Sequence, residues 1–275
     1  MPCDVTVATS GAIILSDVSR LSRIMWPSID AIEIGGLASE EDLRTVLDAV
    51  RAKGIGWGLH APLWREGPSR VPAAPTGLVA AEEHQLRQDI ALAARYEAGY
   101  AVVHAPWFAD HDLAVDDART IADRTLRFLL DLGTEFRIPV ALDLKLGLHR
   151  DPGVLAYLVQ EPESFLDLGA ATLCLDTGDW LLACEHLGVD PVRSFEPLAA
   201  CTSVVHVHSV ERRAQSYLWK PIHPQDPDAT AVRRICLCAK AARSDLTVVF
   251  EHTPHLDPGL PHDLEGFRWL LSALV

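Results

Sequence analysis

The chain has 275 residues, 49% of them hydrophobic and 23% charged, and carries 24 Lys+Arg against 38 Asp+Glu for a net charge of −14. This composition suits a folded globular protein of one large domain or two small ones and excludes a mainly disordered chain. The acidic balance, with no Lys/Arg-rich run, lacks the electrostatic footprint of a nucleic-acid binder, and no stretch approaches the ~18 apolar residues needed to span a bilayer.

Short β-branched runs alternate with longer stretches of helical period, the pattern of βα units around a parallel sheet. In chain order the predicted strands are residues 5–9, 31–35, 56–60, 101–104, 140–143, 172–176, 203–208 and 247–251. A helix is predicted over 39–53, with Ser39 as N-cap, Glu40, Glu41 and Asp42 in the first turn, and Gly54 as C-cap. Two more are predicted over 80–98, closing on Gly99, and over 116–136. Residues 61–77, rich in proline, and the polar 209–230 read as long loops after the third and seventh strands, placed to act as lids.

Eight strands with intervening helices predict one (β/α)8 barrel over residues 1–275. The alternative, a doubly wound open sheet, lacks a Gly-x-Gly-x-x-Gly after its first strand. The six cysteines contain no Cys-x-x-Cys and read as reduced thiols. The N-terminus has no basic start followed by an apolar run, so the protein is expected to be soluble and cytoplasmic.

The ends of seven predicted strands carry Glu33, His60, His104, Asp143, Asp176, His208 and Glu251. In a barrel these ends converge on the face where active sites are built. Imidazoles and carboxylates crowded into one mouth call for a neutralising cation, and this donor mix suits zinc, manganese or cobalt. Each residue alone also fits a plain hydrogen-bonding role. Trp64 and Trp107, on loops after two of these histidines, are candidate pocket walls. Arg212 and Arg213 fit either a phosphate-binding pair or a solvated loop.

The segments Ala31-Ile32-Glu33-Ile34, Gly58-Leu59-His60-Ala61-Pro62, Val102-Val103-His104-Ala105-Pro106, Cys174-Leu175-Asp176-Thr177-Gly178-Asp179, His206-Val207-His208-Ser209-Val210-Glu211 and Phe250-Glu251 resemble the xylose-isomerase-like barrels. That superfamily contains sugar-phosphate isomerases and epimerases and metal-dependent apurinic endonucleases. The resemblance spans nearly the whole chain. It implies a metal held by Asp143, Asp176, His208 and Glu251, with Asp143 where the family usually has Glu. His60 and His104 would share Asp143 around a second metal, as in the endonuclease-like branch. Asp179 stands where the family's Asp-x-x-His would place His, and Tyr217-Leu218-Trp219 where the endonuclease-like branch has Asp-x-His, so that branch's third metal is expected to be absent.

The resemblance further implies proton transfer on carbon by Asp143 and Glu251 through a metal-stabilised enediolate; Lys145, two residues past Asp143 on the same side of an extended chain, is placed to assist. Glu33, Trp64, Trp107, Asp179, Glu211 and His223 are the candidate substrate contacts. Two alternatives stay open: a two-metal hydrolase of a small phosphodiester, and a catalytically diverged barrel. The expected partner is a small molecule, without nucleic acid or membrane; a homo-oligomer is compatible with the sequence.

Overall fold

The computed structural model describes residues 5–11, 17–65, 79–104, 115–143, 172–213, 216–251 and 259–274, with backbone alone at 115–119 and 121–123. Eight parallel strands close a barrel: β1 (Thr6–Ser10), β2 (Ala31–Ile34), β3 (Gly56–His60), β4 (Ala101–His104), β5 (Val140–Asp143), β6 (Thr172–Asp176), β7 (Thr202–Val207) and β10 (Thr247–Phe250). The first strand pairs in parallel with both β2 and β10, which closes the cylinder and removes the open-sheet alternative. Each strand lies within one residue of its predicted bounds.

Outside the strands run α1 (Glu40–Lys53), α2 (Ala80–Arg95), α3 (Val115–Phe136), α4 (Thr177–Leu187), α5 (Pro191–Phe195), α6 (Ala229–Ala242) and α7 (Leu260–Leu274). The ends of α1 are as its sequence requires: the Ser39 hydroxyl accepts from the Asp42 N–H at 3.2 Å, and Gly54 takes the left-handed conformation at φ 69°. The second helix stops earlier than its predicted end at 98. Glu97 turns left-handed at φ 62°, because Gly99 N–H must already donate to Trp57 O to start the next strand. Among the described residues no helix is long and apolar enough to cross a membrane.

Residues 209–230 are not the unstructured lid expected from their polarity. They open with an antiparallel hairpin, β8 (Ser209–Arg213) against β9 (Ser216–Lys220), and end at the start of α6. Val210 and Trp219 are partners across the hairpin and both are buried, so a short apolar seam pins an otherwise polar ribbon. The predicted lid at 61–77 falls largely outside the described residues. Its beginning is fixed: Leu63 N–H donates to Asp89 Oδ2 at 2.9 Å, and Leu37 and Gly36 donate to the Leu63 and Pro62 carbonyls at 2.8 Å.

Among the described residues two apolar cores result. The larger lies between the strands and the helices. The smaller fills the lower barrel interior with Ala8, Ala31, Tyr100, Val102, Ala141, Cys174, Val204 and Val249. The Tyr100 ring crosses this interior over Gly58, where a Cβ would meet the ring at 2.3 Å. Glycine at 58 is therefore what admits the ring.

Candidate metal centre

Side chains two residues apart on a strand share a face, so the inward positions continue upward from Ala31 to Glu33, Gly58 to His60, Val102 to His104, Ala141 to Asp143, Cys174 to Asp176, Val204 to His206 and His208, and Val249 to Glu251. The result is one cluster of four carboxylates and four imidazoles at the carboxyl ends of the strands.

His206 sits at its base, fully buried. Its Nε2 lies 3.0 Å from Glu33 Oε1, and its Nδ1 lies 3.1 Å from Glu251 Oε2 and 3.9 Å from Asp143 Oδ2. One layer higher, His208 Nε2 lies between Asp176 Oδ2 at 3.2 Å and Glu251 Oε2 at 2.9 Å. On the other side, His104 Nε2 is 3.3 Å from Asp143 Oδ2 and 3.2 Å from His60 Nε2, while the His60 ring stacks on that of His206 at 5.4 Å. His104 keeps 24% of its side-chain surface exposed, so this side is open.

Local structure holds these groups. Asp176 is the N-cap of α4, its Oδ1 accepting from the N–H groups of Gly178 at 2.8 Å and Asp179 at 3.1 Å, and from Trp219 Nε1 at 3.3 Å. Thr177 Oγ1 donates to His208 O at 3.0 Å and accepts from His208 N–H at 2.8 Å, fixing the strand end that carries His208.

Burial works against charge on His208, but Asp176 and Glu251 outweigh it and raise its pKa to about 9. The same contest holds at His206, where burial is opposed by the Cys174 sulfur, Glu33 and Glu251, and the pKa rises well above the usual histidine value. Burial chiefly raises the Cys174 thiol. The carboxylates around them thus push both imidazoles toward the charged form.

Donor atoms from Asp176, His206 and Glu251 lie within 4.8 Å of one another, as do those of His60, His104 and Asp143, of Asp143, Cys174 and His206, and of Glu33, His60 and His206. Carboxylate oxygens and imidazole nitrogens converging in a buried mouth fit a divalent transition metal.

The structure brings Asp143, Asp176, His208, Glu251, His60 and His104 together. Glu33, expected against substrate, is buried against His206 at the base of the cluster. Asp179 is 1% exposed in the first turn of α4. Trp64 is half-buried, packed on the core with its backbone bridged to Leu37. Glu211 pairs with Arg213 on the hairpin, and Arg212 bridges Glu185 and Asp228, so carboxylates already engage both arginines. His223 stacks on His262 at 4.3 Å, with Glu265 at 3.3 Å. Trp107 and Lys145 lie outside the described residues. Sequence reasoning passed over His206, although its position two residues before His208 put it on the same inward face.

Neither a protein-family model nor any curated protein matches the chain. Solved structures do. A D-tagatose 3-epimerase-like protein aligns with TM-score 0.69 at 15% identity over 98% of this chain and 97% of that one. The IolI protein with a bound zinc atom aligns with TM-score 0.66 at 13% identity over 98% of both chains. Endonuclease IV from Thermus thermophilus aligns with TM-score 0.55 at 15% identity, again over 98% of both. What these likenesses establish is architecture: the chain is folded as a (β/α)8 barrel of the kind these proteins share.

Proposed function

We propose that this chain is a metal-dependent isomerase or epimerase of a small polyhydroxylated carbonyl compound. The observation that carries the reading is the meeting of Asp143 and Glu251 at one buried imidazole. They come from β5 and the end of β10, with β6 and β7 between them, yet both approach His206 Nδ1. Two carboxylates arriving from different sides of a mouth can take a proton from one face of a substrate carbon and return it on the other. The likeness to a D-tagatose 3-epimerase-like protein supports the substrate class.

Asp143, Asp176, His208 and Glu251 would hold the cation, for which zinc, manganese and cobalt are all suited. When bound, it supplies Lewis acidity that polarises a carbonyl oxygen and offsets the negative charge developing there. The protein does the rest. His206, gripped by Glu33, fixes the Glu251 carboxylate from below. His60 and His104 face the open side, where they would contact substrate hydroxyls. The net charge of −14 favours a small ligand over a polyanionic nucleic acid.

One observation favours a second reading. His60, His104 and Asp143 form a metal-competent triad beside the first set, and endonuclease IV shares the fold; two cations there would suit hydrolysis of a small phosphodiester.

The test is solvent deuterium incorporation, followed by NMR, at the carbon beside the carbonyl in a panel of ketopentoses and ketohexoses, with manganese, zinc or cobalt added. Incorporation into at least one sugar, lost in Glu251→Gln, is expected. No incorporation with any sugar, together with cleavage of bis(4-nitrophenyl) phosphate that requires His60 and His104, would replace this reading with the hydrolytic one.

A further inference from the structure

Resting on the metal reading above, we infer that Trp219 is a positioning residue for the metal site: its indole N–H commits one oxygen of Asp176, so that only the other is presented to the cation. Asp176 Oδ1 receives three N–H groups, from Gly178, Asp179 and Trp219. A carboxylate oxygen has two lone-pair sites, so three donors saturate Oδ1 and leave Oδ2, which faces His208 Nε2 at 3.2 Å. Asp176 would then offer a cation Oδ2 alone. The two backbone donors belong to the cap of α4 and would bind any aspartate there; the third comes from a separate element, 43 residues away in sequence.

The approach of Trp219 is built into the fold at several points. A Cβ on Gly178 would lie 2.7 Å from Trp219 Cδ1 and Nε1, so glycine makes room for the indole beside the carboxylate. On its other flank the Tyr217 ring packs edge-on at 5.1 Å. Val210, across the hairpin, buries the same seam, and Arg212 ties the hairpin to Glu185 of α4 at 2.7 Å. The hairpin is thus a fixed wall of the metal site, docked on the helix that begins at the ligand.

The test compares wild type with Trp219→Phe and with β-(3-benzothienyl)alanine at position 219, which keeps the two-ring outline without the N–H. Zinc affinity of metal-stripped protein is measured by competition with a chelating dye, alongside the cobalt(II) visible spectrum and the thermal midpoint of the metal-free protein. The expected result is affinity about 10–100-fold weaker in both variants, an altered cobalt spectrum, and an unchanged metal-free midpoint for the benzothienyl form. Unaltered affinity in that form would overturn the inference, and so would a loss of affinity matched by a fall in its metal-free midpoint. Wild type that binds no zinc would instead sink the metal reading itself, a result distinguishable from either.

Discussion

In the lower interior of the barrel the inward side chains are Ala31, Val102, Ala141, Cys174, Val204 and Val249; two residues further along the same strands they are Glu33, His104, Asp143, Asp176, His206 and Glu251. A strand rises about 3.3 Å per residue, so a dry apolar layer and a layer of ionisable groups are separated by about 7 Å on the same backbone. The lower layer contributes stability through burial and close packing. The upper layer opposes it unless its charges are paired, because buried ions lose hydration. Most of the packing and most of the ionisable groups therefore lie at different heights within one barrel, with Cys174 against His206 and Tyr100 against Glu33 joining them, and substitutions away from those two links should separate accordingly.

The largest expected effect comes from breaking the upper layer. Asp176→Ala removes an N-cap, one of the two carboxylates on His208 and a proposed ligand together, and should destabilise by about 3–5 kcal/mol through the lost cap and the lost charge-assisted contact. Urea unfolding should show this loss, and elemental analysis should show less than wild-type metal.

Next is the pH response of metal-free protein. His208 has a folded pKa of about 9, above its ordinary value near 6.5, so its contribution is fully present below about pH 6.5 and is lost as pH rises through about 9. His206 is shifted in the same direction. Chelator-treated protein should therefore unfold at lower urea at pH 9 than at pH 6.5, by about 1–3 kcal/mol, and bound zinc should flatten the difference by taking over the neutralising role. Equal stability at both pH values in metal-free protein would contradict the charge balance described for the site.

In the lower layer, Gly58→Ala drives a methyl into the Tyr100 ring and should cost about 1–3 kcal/mol by overpacking, with metal affinity per folded molecule unchanged. A parallel loss of affinity would show that the link from Tyr100 to Glu33 couples the two layers. The smallest effect is expected outside both: Arg213→Ala removes an exposed pair with Glu211 and should shift stability by less than about 1 kcal/mol, leaving metal content as it was.

Much of this was legible in the sequence for a specific reason. Strand periodicity is local, so the eight strands could be placed within a residue, and polar residues ending apolar runs marked Glu33, His60, His104, Asp143, Asp176, His208 and Glu251. His206 was passed over because a histidine inside a β-branched run reads as part of the strand; its partners Glu33 and Glu251 are remote in sequence. The hairpin after β7 was masked by the charges of Glu211, Arg212 and Arg213, which hide the pairing of Val210 with Trp219. The end of α2 was misplaced because Glu97, rather than a glycine, makes the left-handed turn.

By itself the sequence determined the alternation of strand and helix, the caps of α1, and which residue types would stand at the strand ends, since these follow from interactions within a few residues. Only the tertiary structure decided that β1 pairs with β10, that Glu33 grips His206, that His223 stacks on His262, and that Trp219 reaches Asp176. Each of those contacts joins residues far apart along the chain, and which distant partners meet is fixed by barrel closure, not by local sequence preference.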